Sequence, residues 1–328
     1  MKIKIISLIV FLLLPACLLN AQIQIGSNEI AAMNRAGKIA GDDMAALKKT
    51  ITLFTLPYKD YDRLEQFEQA IKSVWTITPF RIIRPEEMSG YINKEGYSVF
   101  SFGGYMVQRQ GGLANPANMH LAYDLWMPEK KKNGSMRQLY FARILIYPDN
   151  QSFFTAMKSS NKKNADFSGQ MISFIYNDAV IYNWGPGFLK GYLYTVNEYL
   201  SGNEERGPYS EEEDEQALKS LRTDTLYIPE YVRVKFNPFT GAENAEENSD
   251  EDIINAYPFP VKFISDEMLN RLILQGKAVK YLVYTKSSSD KYINIFDSSN
   301  GKLLYARYSK LSYNFKNKDL TKLARLID

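Results

Sequence analysis

Pro79-Phe80-Arg81-Ile82-Ile83 and Pro260-Val261-Lys262-Phe263-Ile264 lie 181 residues apart and share one grammar. Each run is apolar, rich in β-branched residues and opened by proline, which suits a strand. Two acidic residues follow each run, Glu86-Glu87 in the first case and Asp266-Glu267 in the second, and both pairs complement the dipole of a starting helix. Pro85 suits the first turn of one helix, and Ser265 is a natural N-cap for the other. Further on, Tyr97-Ser98-Val99-Phe100 is echoed by Tyr281-Leu282-Val283-Tyr284. The repetition predicts a duplicated supersecondary unit, the alternative being coincidence between two common strand–helix segments.

Working outward, Ile51 to Pro57 reads as a strand, and Asp60 as the cap of a helix whose Leu64, Phe67, Ile71 and Val74 form one apolar stripe. Thr76 to Ile83 and Tyr97 to Phe102 are expected strands. Leu121 to Met127 and Gln138 to Tyr147 are expected to form a hairpin whose loop contains Asn133-Gly134. A short helix is expected at Ser152 to Lys158, then a second hairpin, Met171 to Tyr176 with Ala179 to Trp184, turning at Asn177-Asp178. Phe188, Tyr192, Val196 and Tyr199 share one helical face, and Ser210 with Glu213 reads as a capping box for a helix through Leu221. Tyr231 to Phe236 reads as a strand, Tyr292 to Phe296 and Lys302 to Tyr308 as a last hairpin, and Leu320, Leu323, Ala324 and Ile327 as the stripe of a terminal helix.

The expected fold class is α+β, with two similar sandwich-like halves, each running strand-helix-strand-helix-strand and adding hairpins. The divisions are residues 1–21 as a signal peptide, 22–47 as a lead-in helix and linker, 48–184 as the first half, 185–224 as bridging helices and 225–328 as the second half.

The leader reading rests on Lys2 and Lys4 before the apolar run Ile5 to Leu14, with the small Ala21 ahead of a cut at Gln22. Leu14-Pro15-Ala16-Cys17 offers the alternative of a lipoprotein anchored at Cys17, which Pro15 fits poorly. An uncleaved N-terminal anchor is the third option. All three export the body of the chain, to the periplasm or the outer membrane, with membrane attachment through the N-terminus only. Across 328 residues, 40 Lys and Arg oppose 37 Asp and Glu; two of the 40 lie in the leader, so the remainder carries a net charge of +1. A nearly neutral body argues against nucleic acid as partner.

With one Cys and one His, His120, the chain lacks the residues for a thiolate zinc site, a disulfide framework or a His-paired Cys nucleophile. Ser-x-x-Lys occurs at Ser159, Ser160, Ser288 and Ser299, but in polar turn segments and without a Lys-Thr-Gly partner. His120 has no Gly-x-Ser-x-Gly elbow to serve. The acidic runs Glu211 to Glu215 and Glu243 to Asp252 lack the alternation of a calcium loop, and Gly103-Gly104 and Gly111-Gly112 lack phosphate-loop spacing. No cofactor or metal is expected.

The remaining candidates are aromatic. Trp184-Gly185-Pro186-Gly187-Phe188 sets two rings on a tight turn before a helix, and Tyr105 follows the Gly103-Gly104 pair. Trp184, Phe188 and Tyr105 are therefore the candidate binding residues, for a sugar or peptide; the alternative is that Trp184 and Phe188 plug the core beneath a sharp turn. The 23 tyrosines divide the same way, between adhesive surface and half-buried strand positions.

The segments Tyr61-Asp62-Arg63-Leu64, Trp75-Thr76-Ile77-Thr78-Pro79-Phe80, Phe100-Ser101-Phe102-Gly103-Gly104 and Asp290-Lys291-Tyr292 resemble those of uncharacterised exported proteins of Bacteroidota-type bacteria, over about residues 45 to 328. That resemblance implies an envelope location and carries no activity. The expected function is a non-enzymatic binding or assembly factor for an envelope protein, peptide or glycan. The alternative is a carboxylate-dependent glycan hydrolase, whose acidic pair sequence does not single out.

Overall fold

The computed structural model describes residues 22–27, 37–107, 118–149, 151–152, 167–207, 210–237, 243–244, 250–287, 290–310, 312 and 314–328. In chain order, β1 (Ile23–Ile25), α1 (Gly41–Leu47), β2 (Ile51–Thr55), α2 (Leu64–Val74), β3 (Phe80–Ile83), β4 (Tyr97–Val107), β5 (Asn118–Lys130) and β6 (Met136–Ile146) build the first half. Two helices follow, α3 (Phe167–Asn177) and α4 (Pro186–Gly202). The second half contains β7 (Glu212–Glu213), α5 (Glu215–Leu218), β8 (Leu226–Pro229), a ribbon of β9 (Lys235–Phe236) and β10 (Glu243–Asn244), α6 (Asp250–Ala256) and β11 (Val261–Ile264). It closes with α7 (Asp266–Leu274), β12 (Lys280–Ser287), β13 (Asp290–Asp297), β14 (Leu303–Ser309) and α8 (Asn317–Ile327).

Each half is a mixed sheet of six strands, ordered β1-β6-β5-β4-β2-β3 and β7-β14-β13-β12-β8-β11. In both, a central strand (β2 or β8) lies parallel to its two neighbours, and the remaining strands run antiparallel out to a short edge strand. Even the irregularity is copied. The ladder slips between Leu125 and Trp126 against β6, and between Ile295 and Phe296 against β14. A bulge at the same ladder position in two independent sheets is a built feature, so the fold is α+β with two like halves.

Pairing also corrects the register of the repeat. Leu53 faces Arg81 and Val99, whereas Tyr227 faces Lys262 and Tyr281. Val99 is therefore the counterpart of Tyr281, two residues from the sequence match of Tyr97 with Tyr281; a slip of two keeps every side chain on its face.

Several elements differ from expectation. Met171 to Tyr176 is helix, because Met171, Ile172, Ile175 and Tyr176 recur at helical spacing and Met171, Ile175 and Tyr176 are buried together. Ala179 to Trp184 has only the isolated bridge of Ile181 to Pro148. The strand near Tyr231 lies upstream, at β8, and Tyr231 itself sits in a 3-10 turn, Glu230–Arg233. Glu212 and Glu213 pair with β14, so Asp214, which accepts from the Ala217 N–H at 2.9 Å, is the true cap of α5. Thr76 to Pro79 precedes β3 as a turn, with Thr78 hydrogen-bonded to Thr52 and the Trp75 indole. Of the lead-in helix only α1 is seen, residues 28–36 lying outside the described ones, as does most of Ser152 to Lys158. Ser265 caps α7 as expected, through the Met268 N–H. Asn133-Gly134 and Asn300-Gly301 turn their hairpins with Gly134 and Gly301 at φ 84° and 72°.

One apolar cluster runs from the inner face of the first sheet (Phe54, Phe100, Tyr123) through α4 (Phe188, Tyr192, Val196) to the second sheet (Tyr281, Val283, Phe296). A second cluster lies beyond the second sheet, under α6 and α8. The second sheet thus has helices on both faces, whereas among the described residues the first has α2, α3 and α4 on one face and, on the other, a 3-10 turn, Pro85–Gly90, over one end and Tyr292 and Tyr308 of the second sheet against Ala122 and Leu145 at the other.

Candidate functional site

In sheets of this kind, ligands gather beyond the carboxyl ends of parallel strands, where the strand order reverses. Both halves have such a point, between β2 and β4 and between β8 and β12. Each is filled by a tyrosine. The Tyr176 hydroxyl bonds Thr55 Oγ1 at 2.6 Å and accepts from the Phe102 N–H at 3.1 Å, which clamps β2 to β4. The Tyr231 hydroxyl donates to the Tyr284 carbonyl at 2.8 Å and accepts from the Tyr284 N–H at 3.2 Å, while its ring stacks on Tyr182. Burial raises both phenols, Tyr176 to about 12, so both stay protonated and act as hydrogen-bonding struts.

The chain between α3 and α4 crosses from one carboxyl edge to the other. On the first side, Asp60 is fully buried and accepts from Arg63 and, at 2.7 Å, from the Trp184 indole N–H. Asp60 is thus an internal partner and caps nothing. On the second side, Asn270 of α7 accepts the Gly187 and Phe188 N–H groups through one oxygen. Cβ atoms on Gly185 or Gly187 would meet Asn270 at 2.6 and 2.9 Å, so both glycines are set by close approach of α7. Asp266, one turn back, keeps a buried carboxylate oxygen with no hydrogen-bond partner, and burial reinforced by Glu230 raises its pKa to about 7.

Trp184 and Phe188 are 4% and 0% exposed. Trp184 packs on Phe67, Phe102 and Tyr123, and Phe188 packs against Tyr281. A binding platform needs exposed rings; these two fill the core instead, and they do not meet Tyr105, which lies on β4 and whose side chain is outside the described residues. His120 is buried at the start of β5. Among the described residues no three His, Cys, Asp or Glu gather to hold a metal ion, and no helix is long and apolar enough to cross a membrane.

Aromatic surface does exist, on the first sheet's outer face. Leu53, Val99 and Trp126 lie at its base, and Tyr91, Tyr97 and Tyr140 stand over them half-buried. Exposed Arg81 lies over the rings of both Tyr91 and Tyr97 at 5.7 and 5.8 Å, and Lys94 over Tyr91 at 5.4 Å. Burial raises the Tyr140 phenol to about 12. Tyr97 also borders a cavity of about 460 Å³ at the amino edge, with Ala45, Ala46, Met127 and Pro128 as its apolar wall and Asp42, Lys49 and Glu95 as its charged one. A smaller hollow of about 320 Å³ at the end of α4 gathers Glu198, Glu204, Glu212 and Lys302. Sequence reasoning missed Tyr91, Tyr97 and Tyr140 as a set; alternation along β4 and β6 marks the face, but not that among the described residues no helix covers this end of it.

No protein-family model matches the chain, and neither a curated protein nor a solved structure matches it.

Proposed function

We propose that this chain is an exported envelope protein that acts without catalysis, as a binding or assembly factor for a protein, peptide or glycan partner. In this reading residues 1–21 direct export, and the body works in the periplasm or at the outer membrane. One observation carries it: the first sheet's outer face presents half-buried tyrosines and cations, while the switch points where a substrate would enter are filled by Tyr176 and Tyr231. Interfaces are enriched in tyrosine and arginine held this way. The test is a photo-crosslinking residue at Tyr140 in the full chain, in envelope preparations, against a control at exposed Glu68. A discrete adduct at Tyr140 and none at Glu68 is expected; equal or absent labelling overturns the reading.

The alternative, a carboxylate-dependent glycan hydrolase, draws on the hollow at the end of α4, where Glu198 and Glu204 have no ion pair among the described residues. It requires turnover of a glycan that Glu198→Gln or Glu204→Gln abolishes.

A further inference from the structure

The duplication supplies a direct comparison between two copies of one face. Ladder register and the aligned caps at Arg84 and Ser265 make Met88 the counterpart of Leu269, Ile92 of Ile273, Tyr97 of Val279 and Tyr140 of Leu303. Leu269, Ile273, Val279 and Leu303 are between 0% and 6% exposed. Met88, Ile92, Tyr97 and Tyr140 are half-buried. The difference is one helix. In the second half α4 lies across the face, with Phe188 and Tyr192 against Tyr281 and Phe296, and with Gly191 where a Cβ would come within 2.3 Å of the Tyr281 hydroxyl. In the first half no helix among the described residues takes that place.

Charge narrows what fits there. Three carboxylates on or beside the face are engaged inside the chain, Glu87 with the Arg84 N–H, Glu129 with Arg137 and Asp124 with Arg143, while Glu95 and Asp42 stand at the cavity beside Tyr97, at the amino edge. Arg81 and Lys94 are exposed and have ring contacts but no carboxylate partner among the described residues. We infer that the outer face of the first sheet seats an amphipathic helix of a partner protein, lying as α4 lies on the second sheet, with carboxylates on its rim meeting Arg81 and Lys94. The inference rests on the binding reading and names the partner's chemistry. An anchoring side chain from such a helix would enter the cavity beside Tyr97.

The test uses the full chain and a synthetic peptide with the sequence of residues 186–202, carrying Lys190→Glu to supply a rim carboxylate. Fluorescence anisotropy should show saturable binding, at least roughly tenfold weaker to an Arg81→Glu/Lys94→Glu chain, whose cooperative unfolding should be retained with a small drop in midpoint from the lost ring contacts. A scrambled peptide should not bind. No saturable binding, or binding indifferent to the two reversals, overturns the helix proposal. Two results would overturn it while leaving the wider binding reading intact: a soluble peptidoglycan fragment that saturates the face in the peptide's stead, or a concentration-dependent dimer broken by the reversals. If peptide, fragment and second copy all fail to engage the face, both readings fall.

Discussion

The Asn270 side-chain carbonyl accepts the Gly187 N–H at 2.8 Å, across 83 residues of sequence. That bond, with the one from Phe188, satisfies two of the N–H groups that open α4, a service normally done by a residue just before the helix. Gly185 stands at that position and has no side chain to do it.

Asn270→Ala is therefore expected to cost about 1–3 kcal/mol, since two buried N–H groups lose their acceptor. Gly187→Ala should cost at least as much, because its Cβ would meet the Asn270 backbone at 3.0 and 3.1 Å, which no rotamer change relieves. Denaturant midpoints shifted at constant slope would bear this out; an unchanged midpoint in Asn270→Ala would contradict it.

The two tyrosine struts predict parallel effects in the two halves. Tyr176→Phe removes the bond to Thr55 and leaves the Phe102 N–H without an acceptor; Tyr231→Phe removes the bonds to both backbone groups of Tyr284. Each should destabilise by about 1–3 kcal/mol, and the double variant by near the sum, because the struts serve different sheets. A marked departure from additivity would mean the two edges are coupled.

Asp266 predicts a pH dependence. Its carboxyl titrates near 7 in the folded chain and near its ordinary 3.8 when unfolded. Between those values the folded chain holds a proton that the unfolded chain has released, so this group's contribution is largest below pH 4, declines as pH rises to 7, and is level above. Asp266→Asn should match the parent at pH 4 and exceed its stability at pH 8, by on the order of 1–3 kcal/mol. Urea unfolding from pH 4 to 8 decides it, and an identical slope in both proteins would dismiss the assignment.

Lys291 on β13 and Asp319 on α8 form an ion pair in which both side chains are nearly inaccessible. Burial pulls the Lys291 pKa down, and Asp319 opposes that pull. Lys291→Met should cost about 3–5 kcal/mol by leaving a buried carboxylate short of its partner, whereas Lys291→Met with Asp319→Leu should cost clearly less than the two single changes combined. Thermal unfolding of the four proteins closes the cycle.

Much of the architecture was legible because its signals are local. The strands at Phe80–Ile83 and Val261–Ile264, the Asn-Gly turns and the Ser265 cap each depend on residues a few positions apart. Met171 to Tyr176 misled because a short apolar run suits strand and helix alike, and only its packing on β4 decides. Tyr231 misled because its β-prone surroundings were overridden by a hydroxyl bond to Tyr284, 53 residues away. Asn270 carried one readable hint, a polar residue beside Leu269 and Ile273 on the buried side of α7, but its partner belongs to another helix.

What the amino-acid order determined alone is the repeated strand–helix unit and its doubling, since hydrophobic period and capping act over a few residues and were written twice. Which face of each copy is covered was settled only in three dimensions. One helix, α4, has a single place to lie; by filling the space between the halves it buries Leu269, Val279 and Leu303 and leaves Met88, Tyr97 and Tyr140 at the surface. Burial belongs to the assembled packing, so two segments of like pattern end in unlike surroundings.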